Sequence, residues 1–440
     1  MKIRFWWNSF IEIEYKDIYL VCDPWINEIK AGYGWLPSQK YLKQNVLDTL
    51  LRSTYIYISH IHYDHLDLKL LKELPLLDHI IFLIPKLRNK HLFNKLSSIS
   101  NINIVELEPY ENYKLPNNLE VYIIPQIDSQ SDSNTIGIDY DMDSSLIVKN
   151  NDDNSIFFNM VDNPLSPKSI SLIREKLKLN KIDLSTLPCG SASQYPQSFL
   201  NIDRFKEKNK LNAIIFDRCI EKLNALECSY FVNAGGEYKI GNLFKELEQY
   251  KVILSPNQIS LLSSATNSIY IDTDSEYQLS LVNGLVIKDY IGNFRIANQS
   301  HSTTDNQPKL SIRTPEVNLV NLFNSANQNL INSIAKGYFD QSYDFKCHIQ
   351  IYSYKNIPII SNSGDYLTIS NNADTIFKVN ECDNQNLRSL SLHISEPLLV
   401  DCLTKKHSWN TAITSSSVLM QRDPNIFNPK DEQIFNFLTL

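Results

Sequence analysis

The stretch ISHIHYDHLD, residues 58–67, concentrates metal-binding side chains where a strand is expected to end and a helix to begin. Side chains two residues apart on an extended chain point to the same side, so His60 and His62 can share one metal ion. The chain then turns, and Asp64 and His65 at the start of the helix can face a second ion. Three imidazoles and one carboxylate, with no thiolate, suit Zn, Fe or Mn.

The same side chains could instead be polar loop residues, with Asp64 as an acidic group at the start of a helix. The chain has 9 histidines in 440 residues, and His60, His62 and His65 all fall within six positions, which favours metal binding. The flanking sequence agrees with a strand-to-helix turn. TYIYIS (54–59) is β-branched and aromatic, and the residues after the motif have helical spacing up to Pro75.

Composition and charge exclude several classes of protein. The chain has 42 Lys and Arg against 49 Asp and Glu, a net charge of −7, and 43% hydrophobic residues. These values are typical of a globular protein and not of a general nucleic-acid binder.

No run of about 18 apolar residues predicts a membrane span, and the N-terminal segment, with acidic residues among its apolar ones, does not resemble a signal peptide. The 7 cysteines are scattered without a CxxC pair, as free thiols in a reducing compartment would be. We therefore expect a cytoplasmic protein that binds neither nucleic acid nor membranes.

The order of the predicted elements divides the chain into two domains. Strand-like segments such as SIFFNMV (155–161) alternate with helical ones such as the charged stretch 201–226, which predicts α/β layers. A polar, non-periodic run at 297–318 predicts a linker. Residues 1–296 would then form the first domain and residues 319–440 a smaller α+β domain.

The segment HIHYDH (60–65) resembles the HxHxDH motif of the metallo-β-lactamase fold. The match extends to DPW (23–25), which follows an opening hairpin as in that fold, where an Asp lies near the floor of the metal site. The resemblance implies a metallo-β-lactamase-like αββα sandwich for the first domain. GYGWLP (32–37) and CGSASQYPQSF (189–199) are similar to the branch that contains CMP-N-acetylneuraminate hydroxylase, although the Rieske-type Cys/His pairs of that enzyme are absent. The second domain is weakly similar to sterol-carrier-protein-like modules.

Asp162 completes the metal centre that this resemblance implies. It follows the predicted strand at 155–161, as the metal-bridging aspartate does in the family. A carboxylate shared by two dications is physically reasonable because it reduces their mutual repulsion. The resemblance therefore implies two divalent metal ions held by His60, His62, Asp64, His65 and Asp162.

The sequence departs from the family pattern in two segments. Hydrolases of this fold bring one further histidine to each metal, but VYIIPQIDSQSDSNT (121–135) and YFVNAGGEY (230–238) contain none. The first segment offers the oxygen ligands Gln126, Asp128 and Asp132, and we expect Asp128 to be the replacement. Oxygen in place of imidazole lowers the affinity for zinc relative to harder ions.

Three functional interpretations follow from these ligands. We favour a diiron oxygenase that takes electrons from an external donor and hydroxylates a polar small molecule, with Asp64 binding or orienting the activated oxygen species. The alternative is a Zn or Mn hydrolase of a phosphoester, lactone or amide, which would use a metal-bound hydroxide. The third is a non-catalytic binding protein with a degenerate metal site.

Overall fold

The structure of the protein is a computed structural model that describes most of the chain. The described residues are 1–28, 35–37, 41, 43–74, 78–127, 143–236, 238–240, 244–292, 318–336, 345–352, 376–378, 388–426 and 434–440. Two of the sequence-based expectations fall outside these residues. They are the linker at 297–318, of which only Asn318 is described, and the ligand Asp128.

The strands run from the first residues to the C-terminal part of the chain. In chain order they are β1 (Lys2–Trp7), β2 (Phe10–Tyr15), β3 (Ile18–Cys22), β4 (Trp35–Pro37), β5 (Tyr55–Tyr57), β6 (Ile81–Pro85), β7 (Asn103–Leu107), β8 (Asn112–Lys114), β9 (Leu119–Pro125), β10 (Ser144–Asn150), β11 (Ser155–Asn159), β12 (Ile182–Leu187), β13 (Cys228–Asn233), β14 (Tyr238–Ile240), β15 (Ile269–Tyr270), β16 (Tyr277–Val282), β17 (Leu285–Tyr290), β18 (Phe345–Tyr352), β19 (Ile376–Lys378), β20 (Arg388–Ser395) and β21 (Leu419–Asp423).

Helices connect many of these strands. They are α1 (Lys43–Leu51), α2 (Leu68–Lys72), α3 (His91–Leu96), α4 (Pro167–Lys176), α5 (Arg204–Leu226), α6 (Pro256–Ala265), α7 (Leu319–Ala335), α8 (Glu396–Leu403) and α9 (Trp409–Thr414), with 3-10 helices at Lys245–Tyr250 and Ile434–Phe437. Across the described part of the chain, none of the helices has both the length and the apolar character that a bilayer crossing requires.

Two mixed sheets form the larger part of the molecule. Their strand orders are β17-β16-β1-β2-β3-β5-β6-β7 and β15-β13-β12-β11-β10-β9-β8. β1, β2 and β3 pair antiparallel, as their alternating sequence predicts, whereas β3, β5, β6 and β7 pair in parallel. The sheets face one another across an apolar core that includes Phe5, Leu83, Val121 and Phe157.

Helices cover the outer face of each sheet. α1, α2 and α3 pack on the first sheet through residues such as Val46, Leu50 and Leu70. α4, α5 and α6 pack on the second sheet through residues such as Ile170 and Leu223. The layers therefore follow the order helix, sheet, sheet, helix. The metallo-β-lactamase-like αββα sandwich that the sequence predicts is confirmed.

A four-stranded sheet follows later in the chain. Its order is β19-β18-β20-β21, and α7, α8 and α9 pack on it through a core that includes Leu330, Leu399 and Ile413. A backbone bridge between Phe199 and Met420 joins this sheet to the loop after β12. The smaller α+β unit is thus confirmed as a fold class, while its boundaries at 296 and 319 stay predictions.

The carboxyl ends of three strands bring the candidate site together. β3 ends at Cys22 and its neighbour β5 at Tyr57, and β11 ends at Asn159 on the facing sheet. The residues that follow these strands meet at one end of the sandwich. Open α/β sheets commonly bind their ligands at this kind of edge.

Candidate metal centre

The histidine-rich segment is a tight turn between β5 and α2. The backbone N–H groups of His65 and Leu66 both donate to the carbonyl of His62, at 3.1 and 2.8 Å. Asp67 then caps α2 by accepting from the backbone N–H of Leu70 at 2.9 Å. Hydrogen bonds within and after the motif therefore hold its side chains in one arrangement.

His60, His62 and Asp143 form one group of potential metal ligands, whose ligand atoms all lie within 4.8 Å of one another. Nε2 of His60 is 2.9 Å from Nδ1 of His62 and 3.7 Å from Oδ1 of Asp143. Two imidazole nitrogens and a carboxylate oxygen that converge in this way can coordinate a divalent cation.

Asp143 stands directly before β10, and its backbone is tied to Gln126. The N–H of Gln126 donates to the carbonyl of Asp143 at 3.0 Å, and the N–H of Asp143 donates to Oε1 of Gln126 at 3.4 Å. Oδ1 of Asp143 is buried and accepts no hydrogen bond from a described residue. A buried carboxylate oxygen without a donor is costly. A cation shared with the two histidines would remove that cost.

His60, His65 and Asp162 form a second group. Nε2 of His65 lies 3.1 Å from Oδ2 of Asp162 and 3.5 Å from Oδ2 of Asp64. The other oxygen of Asp64, Oδ1, is buried and has no hydrogen-bond partner among the described residues. Because His60 belongs to both groups, the two candidate ion positions adjoin one another. Adjoining positions are what a dinuclear centre requires.

Gly235, after β13, leaves room for Asp162. A Cβ atom built on Gly235 would lie 3.2 Å from Oδ1 of Asp162, and the φ angle of +99° is one that L side chains rarely adopt. A larger residue at this position would therefore press on a candidate ligand.

Ser59 and Asp23 orient two of the imidazoles. The hydroxyl of Ser59 lies 2.9 Å from Nδ1 of His60, and Oδ2 of Asp23 lies 2.9 Å from Nδ1 of His65. Asp23 also accepts hydrogen bonds from the N–H of Ser59 at 2.8 Å and from its hydroxyl at 2.6 Å. Metal-binding histidines usually present one ring nitrogen to such partners and the other to the ion. Asp23 thus lies beneath the site, in the place that the family resemblance implies.

The carboxylates give the site an excess of negative charge. Burial, together with neighbouring carboxylates, raises the pKa of Asp143 to about 7, and burial is also the main cause that raises the pKa of Asp64 to about 6. Burial would raise the pKa of Asp162 as well, but His65 holds that pKa below its usual value. Burial would lower the pKa of His65, yet the three carboxylates around it raise that pKa well above its usual range. The site therefore favours added positive charge.

The other two histidines are held in the form that binds metals. Burial is the main cause that lowers the pKa of His60 well below its usual value and the pKa of His62 to about 4, and neighbouring imidazoles lower both further. Metal ions bind the neutral imidazole. Both the geometry and the charge of the site therefore fit divalent cations.

Tyr238, on β14, adds a buried hydroxyl near the site. Its ring centre is 5.1 Å from that of Trp35, and its hydroxyl has no hydrogen-bond partner among the described residues. Burial raises the pKa of Tyr238, and the charges of Glu248 and Asp64 raise it further. The hydroxyl is therefore a neutral hydrogen-bond donor within the electrostatic reach of Asp64. Tyr238 was not predicted from the sequence.

The structure brings together five residues that the sequence assigns to the metal centre, and their coordination of a metal stays a prediction. They are His60, His62, Asp64, His65 and Asp162. Asp128 lies outside the described residues. Asp143 was not predicted from the sequence, although it stands directly before the strand Ser144–Asn150.

No protein-family model and no curated protein matches this chain. Solved structures match part of it at low identity. CmlA, a diiron β-hydroxylase from Streptomyces venezuelae, is 11% identical with a TM-score of 0.41, over 66% of this chain and 54% of CmlA, so this chain spans about half of that protein. An isothiocyanate hydrolase from Delia radicum gut bacteria is 14% identical with a TM-score of 0.44, over 64% of this chain and 100% of its own.

The metallo-β-lactamase-fold protein YhfI from Bacillus subtilis is 10% identical with a TM-score of 0.37, over 66% of this chain and 98% of its own. The names of these proteins include both a hydroxylase and a hydrolase. The chemistry of this chain therefore has to be argued from its own residues, and its relation to the CMP-N-acetylneuraminate hydroxylase branch stays a prediction.

Proposed function

We propose that this protein is a dinuclear metalloenzyme that binds two iron ions and uses dioxygen to hydroxylate a polar small molecule. One oxygen atom would enter the substrate and the other would leave as water, so each turnover needs two electrons and two protons. An external donor would supply the electrons. When bound, the iron pair would supply the redox chemistry that protein side chains lack.

The observation that carries this proposal is the position of Asp143 beside His60 and His62. The family pattern adds a histidine at the first metal, and in this chain the side chain that lies beside His60 and His62 is a carboxylate instead. With Asp64 and Asp162, the candidate ligands number three imidazoles and three carboxylates. No cysteine belongs to either ligand group within the described residues. An oxygen-rich set of this kind suits iron or manganese better than a set dominated by imidazole and thiolate.

Asp64 is the residue best placed to hold and release a proton. Its Oδ1 is buried without a partner among the described residues, and its pKa is raised to about 6, chiefly by burial. In the metal-free site this carboxyl group can therefore both accept and donate a proton near neutral pH. The proton would be carried at Oδ1, since Oδ2 lies 3.5 Å from His65.

The same carboxyl group supports the second candidate, a metal-dependent hydrolase. A general base with a pKa near neutrality could take a proton from an attacking water molecule. The ligand set favours the oxygenase, because carboxylate ligands lower the preference for zinc.

Elemental analysis of the protein, purified without added metal, separates the candidates. The oxygenase proposal expects about two irons per chain, and dioxygen uptake when a reductant is added. The Asp143→Asn variant should lose iron, since the amide carries no negative charge to neutralise the cation. Zinc together with phosphodiesterase or lactonase turnover would replace this proposal by the hydrolase. The absence of tightly bound metal would leave a binding protein.

A further inference from the structure

A lysine ammonium lies beside the metal-binding motif. Lys95, on α3, places Nζ 5.1 Å from the centre of the Tyr63 ring, and Tyr63 stands between His62 and Asp64 in the motif. This cation therefore lies against the motif residue that separates two of the candidate ligands.

Lys95 differs from Lys90, which precedes the same helix. Lys90 is exposed, and its Nζ lies 2.7 Å from Oε1 of Glu106. Lys95 is half-buried, and no carboxylate among the described residues pairs with it. Burial lowers the pKa of Lys95, and no acid among the described residues counters the effect. A half-buried ammonium without a counter-charge is costly unless a ligand supplies one.

The charges at the site indicate what that ligand would be. Asp23, Asp64, Asp143 and Asp162 carry four negative charges when ionised, and two divalent ions carry four positive charges. The ligand cluster and its ions would then be close to neutral, and the charge of Lys95 would remain beside Tyr63. An anionic group is the natural partner for that charge.

We propose that Lys95 binds an anionic group of the substrate, a carboxylate or a phosphate, beside Tyr63 of the metal-binding motif. The ring of Tyr63 supports the ammonium from beneath, as an aromatic face supports a cation. This inference rests on the proposed function, because it refines the expected substrate from polar to anionic. Lys95 is then a substrate-binding residue that determines specificity.

Titration calorimetry with inorganic phosphate and with acetate, at low ionic strength, tests this proposal on the purified full-length protein. Lys95→Met should weaken binding of at least one of the two anions by about tenfold or more, the range expected for a hydrogen bond to a charged group. Lys95→Arg should largely preserve binding, because it keeps the charge. The matched control Lys90→Met should bind both anions as the wild type does. Weakened phosphate binding alone would assign a phosphate, and weakened acetate binding alone a carboxylate.

Two results would overturn the assignment. One is Lys95→Met binding both anions as tightly as the wild type, and the other is a wild-type protein that binds neither anion. Metal content, measured on the same samples, should be unchanged in all three variants. A wild type without metal would contradict the proposed function, whereas normal metal content with unaltered anion binding in Lys95→Met would contradict only the role of Lys95.

Discussion

Histidines are buried in two regions of the molecule, and the groups that surround their rings differ between the two. At the candidate metal centre, His60 and His65 are 0% exposed. In the four-stranded unit, His393 and His407 are 4% exposed. Carboxylate oxygens of Asp23 and Asp162 lie 2.9 and 3.1 Å from the ring nitrogens of His65. For His393, by contrast, burial lowers the pKa to about 4.

This difference shows that burial by itself does not mark a functional histidine. Burial by itself disfavours the protonated ring, which is a matter of stability. Burial would lower the pKa of His65 as well, but the carboxylates around this ring raise that pKa and make the surroundings favourable for a cation. A substitution at the candidate metal centre should therefore change metal binding, whereas a substitution in the four-stranded unit should change stability.

His60 should give the largest effect, because it belongs to both ligand groups. We expect His60→Ala to lose more than about half of the bound metal, since neither group keeps its full set of donors. Plasma mass spectrometry of the purified variant measures this. The exposed His91→Ala serves as the control and should keep the wild-type content. Full metal content in His60→Ala would remove the distinction between the two regions.

His393 should affect stability and leave metal content unchanged. Burial lowers its pKa from 6.5 to about 4, so the unfolded chain takes up a proton before the folded one as the pH falls. The contribution of His393 to the free energy of unfolding is fully present above pH 6.5. It is lost as the pH falls from 6.5 to 4, by up to about 3 kcal/mol. Urea unfolding at pH 7 and pH 4.5 should show a smaller loss of stability in His393→Gln than in the wild type. An equal loss would mean that this histidine is not held neutral by the fold.

Asp23 should give a smaller effect on the metal centre, because it acts through His65. We expect Asp23→Asn to weaken metal affinity by about 10- to 100-fold, the usual effect of losing a partner of a ligating histidine. Competition with a chelator measures the affinity. Asp183→Asn is a matched control, because Asp183 is also buried but bonds the backbone N–H of Ile156 on the other sheet. Equal affinities of the two variants would argue against the orienting role of Asp23.

The fold was largely predictable because its signals are local. The alternation of apolar and polar residues in the first 15 positions predicts the β1–β2 hairpin, and the HxHxDH motif implies the layers around it. Asp162 could be predicted for the same reason, since it follows a recognisable strand. Asp143 could not be placed in this way. It reaches the site because β9 and β10 pair antiparallel with Ser144 opposite Pro125, which sets Asp143 beside Gln126. A strand register of this kind is not readable from the spacing of residues within either strand.

The central claim is that His60, His62, Asp143, Asp64, His65 and Asp162 enclose two metal ions. Anomalous diffraction from crystals of the purified protein, collected on both sides of the iron absorption edge, tests it most directly. We predict two adjacent anomalous peaks, one among His60, His62 and Asp143 and the other among Asp64, His65 and Asp162. A single peak outside these side chains, or none in a protein that is active, would contradict it.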